Sequence, residues 1–406
     1  MNGHAEGTSP ETGEAPLSPS RNSDWPKRLT RIALGIAVGV TAARLGLRFG
    51  GSLRAGGAGS LQLDLWQQAL VIAFCLLALL LVLLAHEVGH LVGGRLVGFR
   101  AFLLIVGPLR LERSESGWAM HLNTSLALSG GLAGLAALDA RDLKRRTAVM
   151  VAGGPVASVT LALGAWLTLR AFGLVPFDLN TSFASFVTFF TLQMIAGASA
   201  VIALATLVPM TTSGFLSDGA RLLRLWRGGP VAERDSAIQA IMGSSLSGVR
   251  PRDWDPALIT AACALRDASM FGFVAQQFAQ LQAADRGDIA LSLDQLRRLL
   301  QHVDRVPKMM HPGIHFDAAR QFALAGHDDD ARTQLALAKG PVIGAPYLKG
   351  MAEVALLVAE GRDVEAAALL PTVRPMLAQS VDRGSAIWFT DVLDTLEARI
   401  SARQAA

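Results

Sequence analysis

Two imidazoles four residues apart, with a carboxylate beside the first, are the groups in this chain best suited to chemistry: His86-Glu87-Val88-Gly89-His90. On a helix, positions four apart lie on one face, so both rings can reach a single metal ion and Glu87 can reach a water bound to it. Imidazole nitrogens with a neighbouring glutamate suit zinc and metal-assisted hydrolysis, the glutamate acting as base. With eight histidines and eleven glutamates in 406 residues, a chance match to this pattern is expected about 0.004 times. The plainer alternative, two helix-facing histidines and no metal, is costly at the end of an apolar helix, where polar groups must pair or bind something.

A catalytic zinc normally has three protein ligands and one open position, so a third group is needed. His311 and His315 repeat the spacing, but Pro312 and Gly313 between them predict a loop in the soluble part of the chain. His121 falls on a predicted hairpin as a surface residue. Asp218 is better placed, following the last apolar segment in Pro209-Met-Thr-Thr-Ser-Gly-Phe-Leu-Ser-Asp218-Gly219. A helix cap explains a Ser-Asp pair there as well, and topology alone balances the two roles evenly.

The elements that must position these groups are apolar helices. Ala69 to Ala85 are seventeen consecutive apolar residues, and the run continues through Val88, Leu91 and Val92, past the roughly 20 residues needed to cross hydrocarbon. Further spans are expected at Ile32 to Leu47, at about Ala148 to Leu174 and at about Phe183 to Met210, four in all. Lys27, Arg28 and Arg31 precede the first, Arg95, Arg100, Arg110, Arg113 and Lys144 to Arg146 follow the second, and Arg221, Arg224 and Arg227 follow the fourth. That distribution puts the N-terminus and the C-terminal region on the cytoplasmic side, against which only Arg48 and Arg54 count. His86, His90 and Asp218 then reach the same leaflet.

Between the second and third spans the period changes to two. Leu109 and Leu111 alternate with Arg110 and Glu112, and after a Ser-Glu-Ser-Gly turn Trp118, Met120 and Leu122 alternate with Ala119 and His121, which predicts a β-hairpin. Ser129 to Gly134 read as loop. After Trp226 charges return and apolar residues fall to helical spacing; Gly287, Gly326 and Gly361 each follow a helix-like stretch, 39 and 35 residues apart, close to the 34 of tetratricopeptide repeats.

Composition agrees with a mixed membrane and soluble chain: 51% hydrophobic residues, 40 Gly and only 17% charged. The net charge of +4 lies beside apolar runs and not in one patch interleaved with aromatics, so no nucleic-acid partner is expected. Cys75 and Cys263 stand far apart, which excludes a disulfide framework and a cysteine zinc site. Residues 1–28 read as a disordered cytoplasmic tail, 29–230 as a membrane-embedded domain and 231–406 as a cytoplasmic helical domain.

Together the HExxH helix end, the hairpin with Gly107-Pro108, the Gly154-Pro155 helix and the Pro209 to Asp218-Gly219 segment resemble the site-2 protease family of intramembrane zinc metalloproteases, over about residues 66 to 226. The resemblance implies that His86, His90 and Asp218 bind Zn2+, that Glu87 is the catalytic base, and that the reaction is peptide hydrolysis within or near another membrane protein's transmembrane segment. Ser158 and Thr206 stand where the family often has asparagine; both keep a hydroxyl and leave the ligands untouched. Leu109 and Leu111 on the hairpin, with Pro209 and Gly219, are the expected substrate-binding positions, the hairpin holding an unwound segment as an added strand. The expected fold is an all-α polytopic membrane bundle of about four transmembrane helices with a small β-hairpin insertion and a C-terminal soluble α-helical, tetratricopeptide-like domain that binds a protein partner. Its expected location is a bacterial cell membrane, with the lipid bilayer as a partner. The alternative is a degenerate membrane scaffold whose helical domain is its working part.

Overall fold

The computed structural model describes residues 64–114, 116–123, 130–173, 182–212 and 215–405. The expected tail and the expected span Ile32 to Leu47 lie outside them. Leu63–Ala406 form one compact unit, mostly helical, with a small antiparallel sheet.

Among the described residues three helices are long and apolar enough to cross a membrane: α1 (Leu65–Leu96), α2 (Leu143–Ala171) and α3 (Phe183–Leu207). The 32 residues of α1 extend about 48 Å at 1.5 Å per residue, more than the roughly 30 Å of a hydrocarbon core. α1 and α2 pack backbone to backbone, because Gly89 and Gly153 face each other; a methyl on Gly89 would come within 2.4 Å of the Gly153 carbonyl oxygen. α3 closes the group, burying Ile195 with Ala78 and Val82 of α1 and Ala165 of α2.

The stretch between α1 and α2 is more than a hairpin. β1 (Phe99–Val106), β2 (Leu109–Ser114), β3 (Gly117–Leu122) and β4 (Leu132–Ala137) form an antiparallel sheet in the order β3-β2-β1-β4. The expected hairpin is present with Leu111 opposite Met120. One correction concerns its neighbours. Phe99–Val106, apolar from Ala101 onward, forms the interior strand β1, and the glycine-rich stretch read as loop supplies β4, which pairs Leu132 with Ile105 and Ala137 with Phe99. Glycine argued for a loop there, but burial of Leu135, Ala136 and Ala137 decides for a strand.

After α3 a two-stranded turn, β5 (Thr211–Thr212) with β6 (Phe215–Leu216), leads into α4 (Asp218–Arg227). Nine further helices follow: α5 (Pro230–Leu246), α6 (Pro256–Cys263), α7 (Met270–Arg286), α8 (Ile289–Leu300), α9 (His311–Leu324), α10 (Asp328–Leu337), α11 (Tyr347–Ala359), α12 (Asp363–Ala378) and α13 (Arg383–Ala405). Gly287, Gly326 and Gly361 lie just past the ends of α7, α9 and α11 in the left-handed conformation that ends helices. The loop expected at His311 to His315 is instead the start of α9. Pro312 sits in the first turn, where its missing N–H costs no hydrogen bond. His311 Nε2 bonds the Val306 carbonyl and His315 Nδ1 bonds Gln334, both structural roles.

The helical domain docks on the sheet. A methyl on Gly243 of α5 would come within 1.7 Å of the Ala137 carbonyl oxygen, so that helix rests directly on the end of β4. Met309 and Ile343 pack on Leu103 and Ile105 of β1. Ala240 of α5 shares a core with Phe99, Leu135 and Met150.

Candidate metal centre

Near the C-terminal end of α1, His86 and His90 point toward α2 and α4, one turn apart, with ring centroids 4.9 Å apart and nearly perpendicular. Both residues owe their ring orientation to α2. His86 Nδ1 lies 2.9 Å from the hydroxyl of Ser158, which is almost fully buried. His90 Nδ1 lies 3.1 Å from the Met150 carbonyl oxygen. A carbonyl only accepts, so Nδ1 of His90 carries the proton and a neutral ring leaves its Nε2 with a lone pair. Space for that ring comes from Gly154, where a methyl would come within 2.3 Å of His90 Nε2.

Asp218 meets both rings. Its Oδ2 is 3.2 Å from His86 Nε2 and its Oδ1 is 3.4 Å from His90 Nε2. The cap of α4 is the residue before it. The Ser217 hydroxyl accepts the Ala220 and Met210 N–H groups and donates to the Val208 carbonyl. It thus caps α4 and ties that helix to the end of α3, leaving the Asp218 carboxylate to face the imidazoles. Gly219 permits the approach, since a methyl there would overlap the Leu207 carbonyl. Burial raises the pKa of Asp218, but the contacts with His86 and His90 outweigh it and hold the carboxyl below the ordinary range.

Imidazole lone pairs and carboxylate oxygens repel at these distances unless a positive charge lies between them, a proton or a metal ion. His86, His90 and Asp218 form a group that could hold a metal, with one ligand atom from each within 4.8 Å of the others. The separations of 3.2 and 3.4 Å match the roughly 3.3 Å edge of a tetrahedron with metal–ligand bonds of about 2.0 Å. Two imidazoles and one carboxylate leave a fourth position open.

Glu87 is buried beside this group and turns to the sheet. The Ala133 backbone N–H donates to its carboxylate. Gly131, with φ +112°, leaves the room, since a methyl there would come within 2.4 Å of Glu87 Oε1. Both belong to β4 or its approach, and among the described residues β4 is an edge strand with β1 on one side. Of the other expected site residues, Leu109 and Leu111 lie on β2, separated from β4 by β1. Pro209 is exposed in the turn after α3. Thr206 bonds back to Ala203 of its own helix. The strand beside Glu87, the Ser158 contact and the Met150 carbonyl were missed as site elements. Gly154 and Gly131 fall where the chain approaches His90 and Glu87 closely.

No family model matches the chain, and no curated protein or solved structure matches it.

Proposed function

We propose that the chain is an intramembrane zinc metalloprotease, similar to the site-2 protease family, that hydrolyses peptide bonds in or near transmembrane segments of other membrane proteins. The observation that carries this reading is the convergence of His86, His90 and Asp218 from two separate helices, with Glu87 beside them on an open strand edge. His86, His90 and Asp218 hold the zinc, with Ser158 and the Met150 carbonyl fixing the ring orientations. The ion, when bound, lowers the pKa of a water and polarises a carbonyl. Glu87 accepts the proton of the attacking water and returns it to the leaving amine, and its seat on Ala133 keeps the carboxylate aimed.

A substrate helix has its amides bonded internally and must unwind before attack. The free edge of β4 lies beside Glu87 and offers backbone partners to the unwound segment, a better-placed surface than the β2–β3 hairpin. In this reading Ile32 to Leu47 supply a fourth span, the distribution of Lys and Arg puts the centre at the cytoplasmic leaflet, and the successive helical hairpins from α7 to α12 serve as a tetratricopeptide-like protein-binding region.

The test is zinc per purified chain together with cleavage of a reporter transmembrane substrate. Wild type is expected to hold about one zinc; Glu87→Gln keeps the zinc and loses cleavage, and Asp218→Ala loses the zinc. Well-folded wild type without zinc would instead support a degenerate scaffold.

A further inference from the structure

Between the sheet and the helical domain lies a second cavity, of about 510 Å3, remote in its lining from the metal ligands. Its apolar wall includes Leu103, Leu246, Trp254 and Phe278, the two rings meeting edge to face at 5.4 Å. Strand register decides which side chains of the hairpin face it. Glu112 and Ser114 of β2 share one face with Ala119 and Gly117 of β3, whose small size leaves the room, while Arg113 and Trp118 take the other face.

The charge inside is negative. Two carboxylates line the cavity, Glu112 and Asp382. Arg110, on the same face of β2 as Glu112, lies 3.0 Å from it and offsets it. Asp382 has no such partner. Its Oδ1 accepts the Ser245 hydroxyl at 2.5 Å and the Ser385 N–H at 3.2 Å, both neutral donors, and it makes no ion pair among the described residues. The Ser385 bond caps α13, but a cap needs only an acceptor, which serine or asparagine supplies without charge. The charge is felt in the wall: burial, and after it Asp382, hold the phenol of Tyr347, another lining residue, well above its ordinary range. His121 is exposed on the same face of the hairpin as Glu112. What remains for a ligand is an apolar chamber of small-molecule size with one carboxylate that no cation offsets.

From this shape and charge we infer that the cavity binds a small organic cation, an amine on an apolar body, with its ammonium at Asp382 and its body against Trp254 and Phe278. An ammonium brings three donors to a carboxylate that now has only neutral ones, and a charge-assisted bond of this kind is roughly twice as strong as a neutral one. The wall it rests on belongs to two parts of the fold, the hairpin and the helical domain, so an occupant bridges them. Occupancy does not depend on the hydrolytic reading.

The test uses the full chain in zwitterionic nanodiscs and equilibrium dialysis with two labelled probes, hexylamine and phenylpropylamine, with empty nanodiscs as the blank. Hexanol and phenylpropanol are the uncharged controls, and phenylpropanoate reverses the sign. At least one amine is expected to bind saturably, with a Kd on the order of 100 μM, and its alcohol about tenfold more weakly or worse. Asp382→Asn keeps an oxygen for Ser245 and Ser385, so it removes the charge and not the cap. That variant and the cavity-filling Ala119→Trp should each weaken amine binding about tenfold or more. Met376→Trp, which fills the cavity from the helical wall at a half-exposed position, repeats the test should Ala119→Trp fail to fold. No saturable binding of either amine, equal binding of the alcohol or the carboxylate, or binding indifferent to the variants overturns the inference. Because the readout is occupancy and not cleavage, its failure is distinct from a failure of the hydrolytic reading.

Discussion

Ser158 shows how little chemistry a buried imidazole needs behind it to hold its ring. One hydroxyl, 2.9 Å from His86 Nδ1, fixes the ring plane and leaves Nε2 to the ligand side. Outer partners of this kind typically change metal affinity by about 10- to 100-fold, so Ser158→Ala is expected to weaken zinc binding by that factor in a chelator competition. Unchanged affinity would remove Ser158 from the centre. Gly154→Ala asks a different question, because the added methyl meets His90 Nε2 head-on; metal content should fall sharply although no ligand has been altered. That His86 and His90 share one face of α1 was legible in the sequence because four-residue spacing on a helix is local. Ser158 was visible as a departure from a pattern, but not its partner, since that contact joins residues 72 positions apart. Asp218 lay between. Its leaflet could be reasoned from topology, whereas its release from capping depended on three hydrogen bonds made by Ser217.

Among the elements, β4 departs furthest from expectation and lies nearest the chemistry. Its glycines argued for a loop, and strand periodicity is weak in Leu-Ala-Gly-Leu-Ala-Ala. What makes it a strand is a neighbour, β1, whose own apolar run needs cover on that side. The three candidate membrane helices were legible because apolar runs as long as the seventeen residues Ala69 to Ala85 admit few other readings. Their close packing is set by Gly89 and Gly153, whose small size already allows close helix approach on sequence grounds, as in any membrane bundle. Ala133→Pro removes the N–H that Glu87 accepts, at an edge position where proline is tolerated. Cleavage is expected to fall by about tenfold or more with zinc retained; full activity would show that Glu87 needs no such seat.

At the scale of the whole molecule, the helical domain carries its own electrostatic core. Arg234 is almost fully buried and bonds Asp267 at 2.7 Å. Burial raises the Asp267 carboxyl pKa, but the Ser269 and Arg234 hydrogen bonds outweigh it and the net shift is downward. A depressed folded-state value means that this contribution to stability is present above the unfolded value of about 3.9 and is lost as pH falls through the folded one. The melting temperature of wild type should therefore exceed that of Asp267→Asn at neutral pH, and the gap should close in acid. A gap independent of pH would assign the effect to packing. Helical hairpins ending in left-handed glycines could be foreseen here, but not the docking of α5 on the sheet, which no periodicity encodes.

That docking bears on how such a protein can change over generations. Because α5 rests on the Ala137 carbonyl through the bare backbone of Gly243, the membrane part and the helical part are not interchangeable cassettes. A recombination that joined this apolar part to a foreign helical domain would inherit every residue of the candidate centre and still lose the support beneath β4, so the two halves are constrained to diverge together.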